Sequence, residues 1–126
     1  MNKLLLNGIV MALIMIIIAS CQYKFIVEPV PIPPDPEDTI SFAEQIVPIW
    51  QEQGCTGCHN GGTSPDLTPG NAYNSIMGTN LVDIDNPSLS KIYTYPAPDG
   101  SHYKIYTATQ SLLLLTWIEQ GAIDNK

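Results

Sequence analysis

The sequence contains no arginine, and its five lysines are outnumbered by twelve acidic residues, which gives a formal net charge of -7 over 126 residues. Binding to nucleic acid depends on clustered positive charge that meets the phosphates. We therefore expect no DNA or RNA partner.

The sequence also lacks any convincing alternation of apolar and polar residues with a period of two, which is the pattern of half-buried strands. Its absence predicts an all-α fold.

The longest apolar run, Leu4 to Ala19, follows Lys3 and is interrupted only by Asn7 and Gly8. It is shorter than the roughly 20 residues that a membrane-spanning helix needs, and no cluster of basic residues follows it. A short apolar segment after a positively charged start is typical of a secretory signal peptide. We predict that residues 1–20 direct export and do not belong to the folded domain.

The apolar run ends in Ile18-Ala19-Ser20-Cys21, which resembles the lipobox of bacterial lipoproteins. The resemblance implies that Cys21 receives a lipid and becomes the first residue of the mature protein. The alternative is that Cys21 merely ends a membrane-spanning anchor. In both cases we expect an exported chain that is held at a membrane and faces the periplasm. Gln22 favours the outer membrane, again by resemblance to known lipoproteins.

Residues 21–40 predict a lipid anchor and a linker rich in proline and acidic residues. Five prolines lie between Gln22 and Thr39, and no hydrophobic periodicity follows Val27. A polyproline II segment rises about 3.1 Å per residue, so this stretch would span up to roughly 55 Å. It either holds a domain clear of the lipid head groups or forms a disordered leader without a spacer role.

A first helix is predicted from Phe42 to Gln53. Ser41 and Glu44 match a capping box, in which a hydroxyl at the N-cap is followed by a carboxylate three residues later. Apolar residues then recur at helical spacing: Phe42, Ile46, Ile49 and Trp50. Pro48 should bend or split this helix because it has no backbone N–H, and Gly54 should end it.

Two short helical segments are predicted in the middle of the chain. Thr68 and Pro69 are a suitable N-cap and first helical residue, and Gly78 would close that helix. Asn86-Pro87 would open one or two turns that extend to Ile92. The Gly61-Gly62-Thr63-Ser64 stretch between the first and second helices is interpreted as a flexible turn.

The last helix has the clearest signals. Thr107 and Gln110 match a second capping box, and Gly121 is suited to the C-terminal end. Between them lies a wide apolar face: Leu112, Leu113, Leu114, Leu115, Trp117 and Ile118. A domain of four short helices buries a thin core and needs a further source of stability.

Cys55-Thr56-Gly57-Cys58-His59 is a C-x-x-C-H motif, which is typical of covalent haem attachment. The two cysteines would form thioethers with the haem vinyl groups, and His59 would be the proximal ligand of the iron. The motif therefore predicts one covalent haem c. Export agrees with this prediction, because covalent haem attachment takes place outside the cytoplasm.

The motif allows three other interpretations. A structural zinc site needs four ligands, whereas the mature domain adds only the distant His102 to the motif. A redox-active dithiol of the thioredoxin type needs a βαβ context, which the sequence lacks. A plain disulfide between Cys55 and Cys58 would not need the histidine that follows them.

From Phe42 to Ala122 the sequence resembles a small class I cytochrome c domain of the lipoprotein-anchored kind. The matching features are Phe42-x-x-x-Ile46-x-Pro48-Ile49, the haem motif, Leu67 followed by Ala72-Tyr73, and Trp117-Ile118-x-x-Gly121-Ala122. The resemblance implies that residues 41–126 form a bundle of about four short helices around the haem. It also implies that the first and last helices cross, with Phe42, Ile46 and Trp50 near Leu114, Trp117 and Ile118.

The sequence leaves three alternatives for the sixth ligand of the iron. Class I cytochromes c commonly place a methionine in the loop before the last helix, and this loop has none. His102 lies near the equivalent position and is the first candidate. Met77, the only methionine after the signal peptide, is the second candidate. The third possibility is an open or water-bound position, which would permit small-molecule binding or peroxide chemistry.

The predicted function is one-electron transfer by an exported, membrane-anchored cytochrome, and we expect an electron carrier rather than an enzyme. The alternative is a haem-based sensor or accessory haem-binding module with an exchangeable distal ligand. Because the chain is acidic, a charged redox partner should present a basic docking surface. The haem propionates would be bound by Lys91, Lys104, tyrosines such as Tyr95 and Tyr103, or water. We also expect a cluster of tyrosines around the haem crevice or the distal loop: residues 93, 95, 103 and 106.

Overall fold

The computed structural model describes residues 2–18, 34–35 and 38–126. The predicted lipidation site at Cys21 and most of the predicted linker lie outside these residues. Within them the chain is helical and has no strand, which confirms the all-α class. The helices are α1 (Lys3–Ile18), α2 (Val47–Glu52), α3 (Ala72–Gly78), α4 (Lys91–Thr94) and α5 (Ala108–Glu119). None of the described helices is both long enough and apolar enough to cross a membrane.

The predicted first helix is divided into two parts. A wide π-helical turn, Phe42–Ile46, precedes α2. Ser41 is the N-cap as predicted, since its hydroxyl accepts a hydrogen bond from the Glu44 amide at 3.0 Å. The Ser41 amide donates the reciprocal bond to Oε1 of Gln45 at 2.7 Å and not to the predicted Glu44. Pro48 falls in the first turn of α2, where a missing N–H costs no helical hydrogen bond.

The second predicted helix begins later than predicted and ends at Gly78, as predicted. Gly70 has a φ of +87°, which is incompatible with a right-handed helix, so α3 starts at Ala72 and not at Pro69. The left-handed residue beyond its end is Asn80, with a φ of +54°. Asparagine tolerates this conformation better than most residues.

The predicted turns after Asn86 form a 3₁₀ helix, Pro87–Leu89, followed by α4. The predicted last helix is confirmed as α5, with both bonds of its capping box. The Gln110 amide donates to the Thr107 hydroxyl at 3.2 Å, and the Thr107 amide donates to Oε1 of Gln110 at 3.0 Å. Beyond α5, Gly121 has a φ of +94°, which is the C-terminal role predicted for it.

The hydrophobic core joins the π-helical turn and α2 to α5. The Phe42 ring lies 5.1 Å from the Trp117 ring, 5.8 Å from the Trp50 ring and 5.4 Å from the Tyr73 ring, measured between centroids. Ile46, Trp50, Leu114 and Ile118 are fully buried in the same cluster. The first helical segment therefore contacts the last one in the core, and their arrangement as a crossed bundle stays a prediction.

The two ends of this domain are hydrogen-bonded to each other. The Phe42 amide donates to Oδ1 of Asn125 at 2.8 Å, and the Ala43 amide donates to the Asn125 carbonyl at 3.1 Å. Gln120 accepts from the Ile40 amide at 2.8 Å and donates to the Asp38 carbonyl at 2.9 Å. Residues near the C-terminus thus satisfy backbone groups at the domain's start, including free N–H groups of its first helical turn.

Candidate functional site

A cleft lies between the C-x-x-C-H segment, α4 and the loop before α5. Its empty volume is about 660 Å³, part of which is open to solvent. It is lined by Cys55, His59, Ser64, Pro65, Leu67, Leu81, Lys91, Ile92, Tyr95, Pro96, His102 and Tyr106. Binding sites for small molecules and cofactors commonly have this mainly apolar character.

The C-x-x-C-H segment is a tight turn that follows α2. Gly54, with a φ of +67°, separates α2 from the 3₁₀ helix Cys55–Gly57. The amides of Cys58 and His59 both donate to the Cys55 carbonyl, at 3.1 and 2.9 Å. Cys55 is buried, Cys58 is exposed and both are free thiols. Cys55 and His59 line the cleft, and Cys58 lies beside them in sequence without lining it.

The His59 ring is oriented by a backbone carbonyl. Its Nδ1 lies 3.0 Å from the Pro65 carbonyl oxygen. Because a carbonyl only accepts hydrogen bonds, Nδ1 must carry the proton of the neutral ring. Nε2 then keeps its lone pair and is available as a metal ligand, which is the arrangement typical of histidine ligands in metalloproteins.

The second histidine, His102, lies across the cleft from His59. The two ring centroids are 6.1 Å apart and the ring planes are tilted by 35°. A metal–imidazole bond is about 2.0–2.1 Å long, so two imidazoles on opposite sides of one metal ion have ring centres roughly 6 Å apart. The separation of the His59 and His102 rings is therefore compatible with both imidazoles binding one metal ion.

Nδ1 of His102 makes two contacts with the backbone of Lys104, and these require opposite tautomers. It lies 3.0 Å from the Lys104 carbonyl oxygen, and it lies 3.1 Å from the Lys104 amide nitrogen, which donates to it. When Nδ1 donates to the carbonyl, Nε2 carries the lone pair that a metal needs, and when Nδ1 accepts from the amide, Nε2 carries the proton. Met77, the second candidate, is half-buried against the hydrophobic core and does not line the cleft. Of the two named candidates, the structure brings His102 opposite His59.

The side chains around the cleft fit a haem better than a zinc ion. Among the residues that the structure describes, no three His, Cys, Asp or Glu side chains come together as a metal-binding group. Structural zinc needs four protein ligands. A haem iron takes four ligands from the porphyrin and needs only one or two from the protein. Two available imidazoles and apolar walls meet that smaller requirement.

The predicted cluster of tyrosines is present in part. Tyr95 and Tyr106 line the cleft, Tyr93 packs against the core, and Tyr103 is 91% exposed. Among the residues suggested for the haem propionates, Lys91 and Tyr95 line the cleft. Lys104 and Tyr103 do not line it.

Lys104 nevertheless lies close enough to influence Cys55. Burial raises the pKa of the Cys55 thiol above its ordinary value, and the positive charge of Lys104 partly opposes this increase. The Cys55 thiol is consequently protonated at neutral pH.

Several parts of the site have no recognisable signal in the sequence. No motif marks the Pro65 carbonyl, because every residue has a backbone carbonyl. No motif marks the apolar walls either, because apolar side chains such as Leu81, Ile92 and Pro96 occur in any core. The turn that presents His102 depends on Gly100. A Cβ there would collide with the Tyr95 carbonyl oxygen and would lie 2.8 Å from the Thr94 carbonyl oxygen. Its place in a loop rich in proline and glycine was the available signal.

The segment that presents the Pro65 carbonyl is followed by a network around Asp66. Its Oδ1 accepts from the Thr68 hydroxyl at 2.6 Å and from the Thr68 amide at 2.9 Å. Oδ2 of Asp66 accepts from the side-chain Nδ2 of Asn71 at 3.1 Å. The Thr68 hydroxyl and amide hold the pKa of Asp66 below its ordinary value of 3.8.

This network predicts a loss of stability in acid. A carboxyl group whose pKa is lowered by folding contributes its full stabilisation above the pKa of the unfolded chain, and that stabilisation is lost as the pH falls through the folded value. The urea midpoint of the wild type should therefore decrease from about pH 5 to about pH 3. Asp66→Asn should reduce this decrease, whereas the same change at the exposed Asp99 should not. Equal slopes in all three proteins would contradict the role of Asp66.

In comparisons with protein-family models, curated proteins and solved structures, nothing matches this chain. The class I cytochrome c assignment stays a prediction that rests on the motif residues between Phe42 and Ala122.

Proposed function

We propose that this chain is an exported, lipid-anchored monohaem c-type cytochrome that carries single electrons between redox partners. The observation that carries the proposal is the combination of a C-x-x-C-H motif with a second histidine across one apolar cleft. The rings of His59 and His102 lie 6.1 Å apart there, and the contact of Nδ1 of His59 with the Pro65 carbonyl leaves Nε2 of His59 free.

The motif residues have separate roles in this proposal. Cys55 and Cys58 would hold the haem by thioether bonds, so that the haem stays bound when a ligand of the iron exchanges. His59 would be the proximal ligand, oriented by the Pro65 carbonyl. Cys58 is exposed, and its side chain must turn towards the cleft for the second thioether to form.

The haem, when bound, supplies reversible one-electron oxidation and reduction of its iron. The chain itself orients the group and controls its surroundings. Leu67, Leu81 and Ile92 supply apolar walls that limit the access of water. His102 closes the sixth position as a second imidazole, which would give a lower reduction potential than methionine in the same place.

The charge of the domain suggests the type of partner. From residue 38 to the C-terminus, three lysines are accompanied by nine acidic residues. Such a surface attracts basic proteins and repels anionic lipid. Attachment to the membrane would therefore depend on the lipid at Cys21, and docking would depend on a basic surface of the redox partner.

The direct test is to produce the full chain together with a haem-attachment system. The purified protein should be red, should give the pyridine haemochrome spectrum of haem c, and should have an intact mass that includes one haem in addition to any lipid. Colourless protein without the mass of a haem, obtained under conditions that mature a control cytochrome, would overturn the proposal.

The alternative function, a haem-based sensor or accessory haem-binding module, is favoured by one observation. His102 is exposed and lies in a loop, so a gas or peroxide could displace it more readily than a buried ligand. Carbon monoxide added to the reduced protein distinguishes the two functions. Rapid and complete binding would favour the sensor, and absent binding or slow binding limited by the release of His102 would favour the electron carrier.

A further inference from the structure

The loop that carries His102 has few hydrogen bonds to the rest of the domain. In the described structure, the hydrogen bonds of residues 97–105 are made within the segment from Tyr95 to Tyr106. The Gly100 amide donates to the Ala97 carbonyl at 2.8 Å, and the His102 amide donates to the Tyr95 carbonyl at 3.1 Å. The loop is thus a local unit whose position depends on how its two ends are held.

Tyr106 holds one end of this loop. Its amide donates to the Pro96 carbonyl at 2.7 Å, which closes the loop at its base. Its phenol oxygen accepts from Nε1 of Trp50 at 2.9 Å and donates to the Ile92 carbonyl at 3.2 Å. Trp50 belongs to α2 and Ile92 to α4, so one side chain connects the base of the loop to two helices.

The surroundings of Tyr106 make this connection rigid. The residue is 4% exposed, and Trp50 is completely buried. Tyr106 also lines the cleft, so its position fixes both the wall of the cleft and the end of the loop. Hydrogen bonds between buried groups are costly to break without replacement, because each group that loses its partner also lacks water.

We infer that Tyr106 is the positioning residue that holds His102 opposite His59 and so keeps small external ligands out of the sixth position. This inference rests on the proposed function. Tyr106 acts through the loop and through its two hydrogen bonds, without itself bonding to the iron.

Tyr106→Phe tests the inference because it keeps the aromatic ring and removes the phenol oxygen. The change leaves the Trp50 indole N–H and the Ile92 carbonyl without their partner. The loop should then release His102 more often, and carbon monoxide should bind to the reduced holoprotein about tenfold faster than in the wild type. Stopped-flow absorbance measures this rate at a temperature where both proteins are folded.

Trp117→Phe is the matched control. Trp117 is also buried, and its Nε1 donates to the Ile123 carbonyl at 3.0 Å, away from the cleft. This variant loses a part-buried hydrogen bond and part of a buried ring. It should be destabilised, yet it should bind carbon monoxide at the wild-type rate. An equal increase in both variants would show that Tyr106 acts only through global stability and would overturn the inference.

Hydrogen exchange of the wild-type holoprotein provides a test that does not depend on a variant. Binding of carbon monoxide should increase exchange at the amides of Gly100 and His102, while the Tyr106 amide stays protected. Loss of protection at Tyr106 together with the loop would contradict its role as a fixed base. Protein without haem would overturn the proposed function, whereas haem-loaded protein with unchanged kinetics in Tyr106→Phe would overturn only this inference.

Discussion

Replacing Cys55 and Cys58 together by serine should leave the matured protein without covalently bound haem. A serine hydroxyl is a much weaker nucleophile than a thiol and cannot replace it in forming a thioether. We expect complete loss of the covalent product, seen as loss of haem-dependent staining after denaturing electrophoresis and as an intact mass without haem. Each single replacement should leave at most one thioether and lower the yield of mature protein.

Cys21→Ser supplies the control for this experiment, since Cys21 is the only other cysteine of the chain. It should remove the lipid anchor and leave the haem in place, so haem is measured in total cell protein. Covalent haem in the Cys55/Cys58 double variant, or its disappearance in Cys21→Ser, would contradict the assignment of the three cysteines.

Replacing His102 by alanine should convert the ferric haem from a low-spin to a high-spin state. Removal of the second imidazole leaves the sixth position to water or without a ligand, which weakens the ligand field of the iron. Carbon monoxide should then bind to the reduced protein without waiting for a protein ligand to leave. Absorption and electron paramagnetic resonance spectra of the two oxidation states measure the change.

Met77→Ala is the matched control for His102→Ala. Met77 is half-buried against the core, so its truncation should lower stability without changing the spin state. A high-spin spectrum in Met77→Ala combined with an unchanged spectrum in His102→Ala would reverse the assignment. Observation of the charge-transfer band of methionine–iron ligation in the wild type would likewise assign the sixth position to Met77.

Local signals in the sequence predicted the last helix well. The capping residues of α5, its apolar face and the glycine that follows it all lie within a few residues of one another, so no distant contact is needed to specify them. The first helix was harder to predict. Ser41 was correctly identified as its cap, but the wide turn before Pro48 moved the reciprocal bond from Glu44 to Gln45, and residue spacing alone does not reveal a π-helical turn.

The candidate site shows the same division between local and distant information. Cys55, Cys58 and His59 were identified from their spacing, and His102 was selected because few residues could serve as a second ligand. The meeting of His59 and His102 depends on the turn at Gly100 and on the base of the loop at Tyr106. Such contacts join segments that are far apart in the chain, so neither periodicity nor motif spacing could show them.

The joined ends of the domain have a consequence for mechanical load. In the proposed lipid-anchored protein, the linker would enter at Asp38 and Ile40, and Gln120 binds both residues. Tension on that linker would act first on these contacts and on the clasp that Asn125 forms with Phe42 and Ala43, before it reached the cleft. A fluorescent protein fused after Lys126 would crowd this clasp, so reporter fusions of this chain are better inserted elsewhere on its surface.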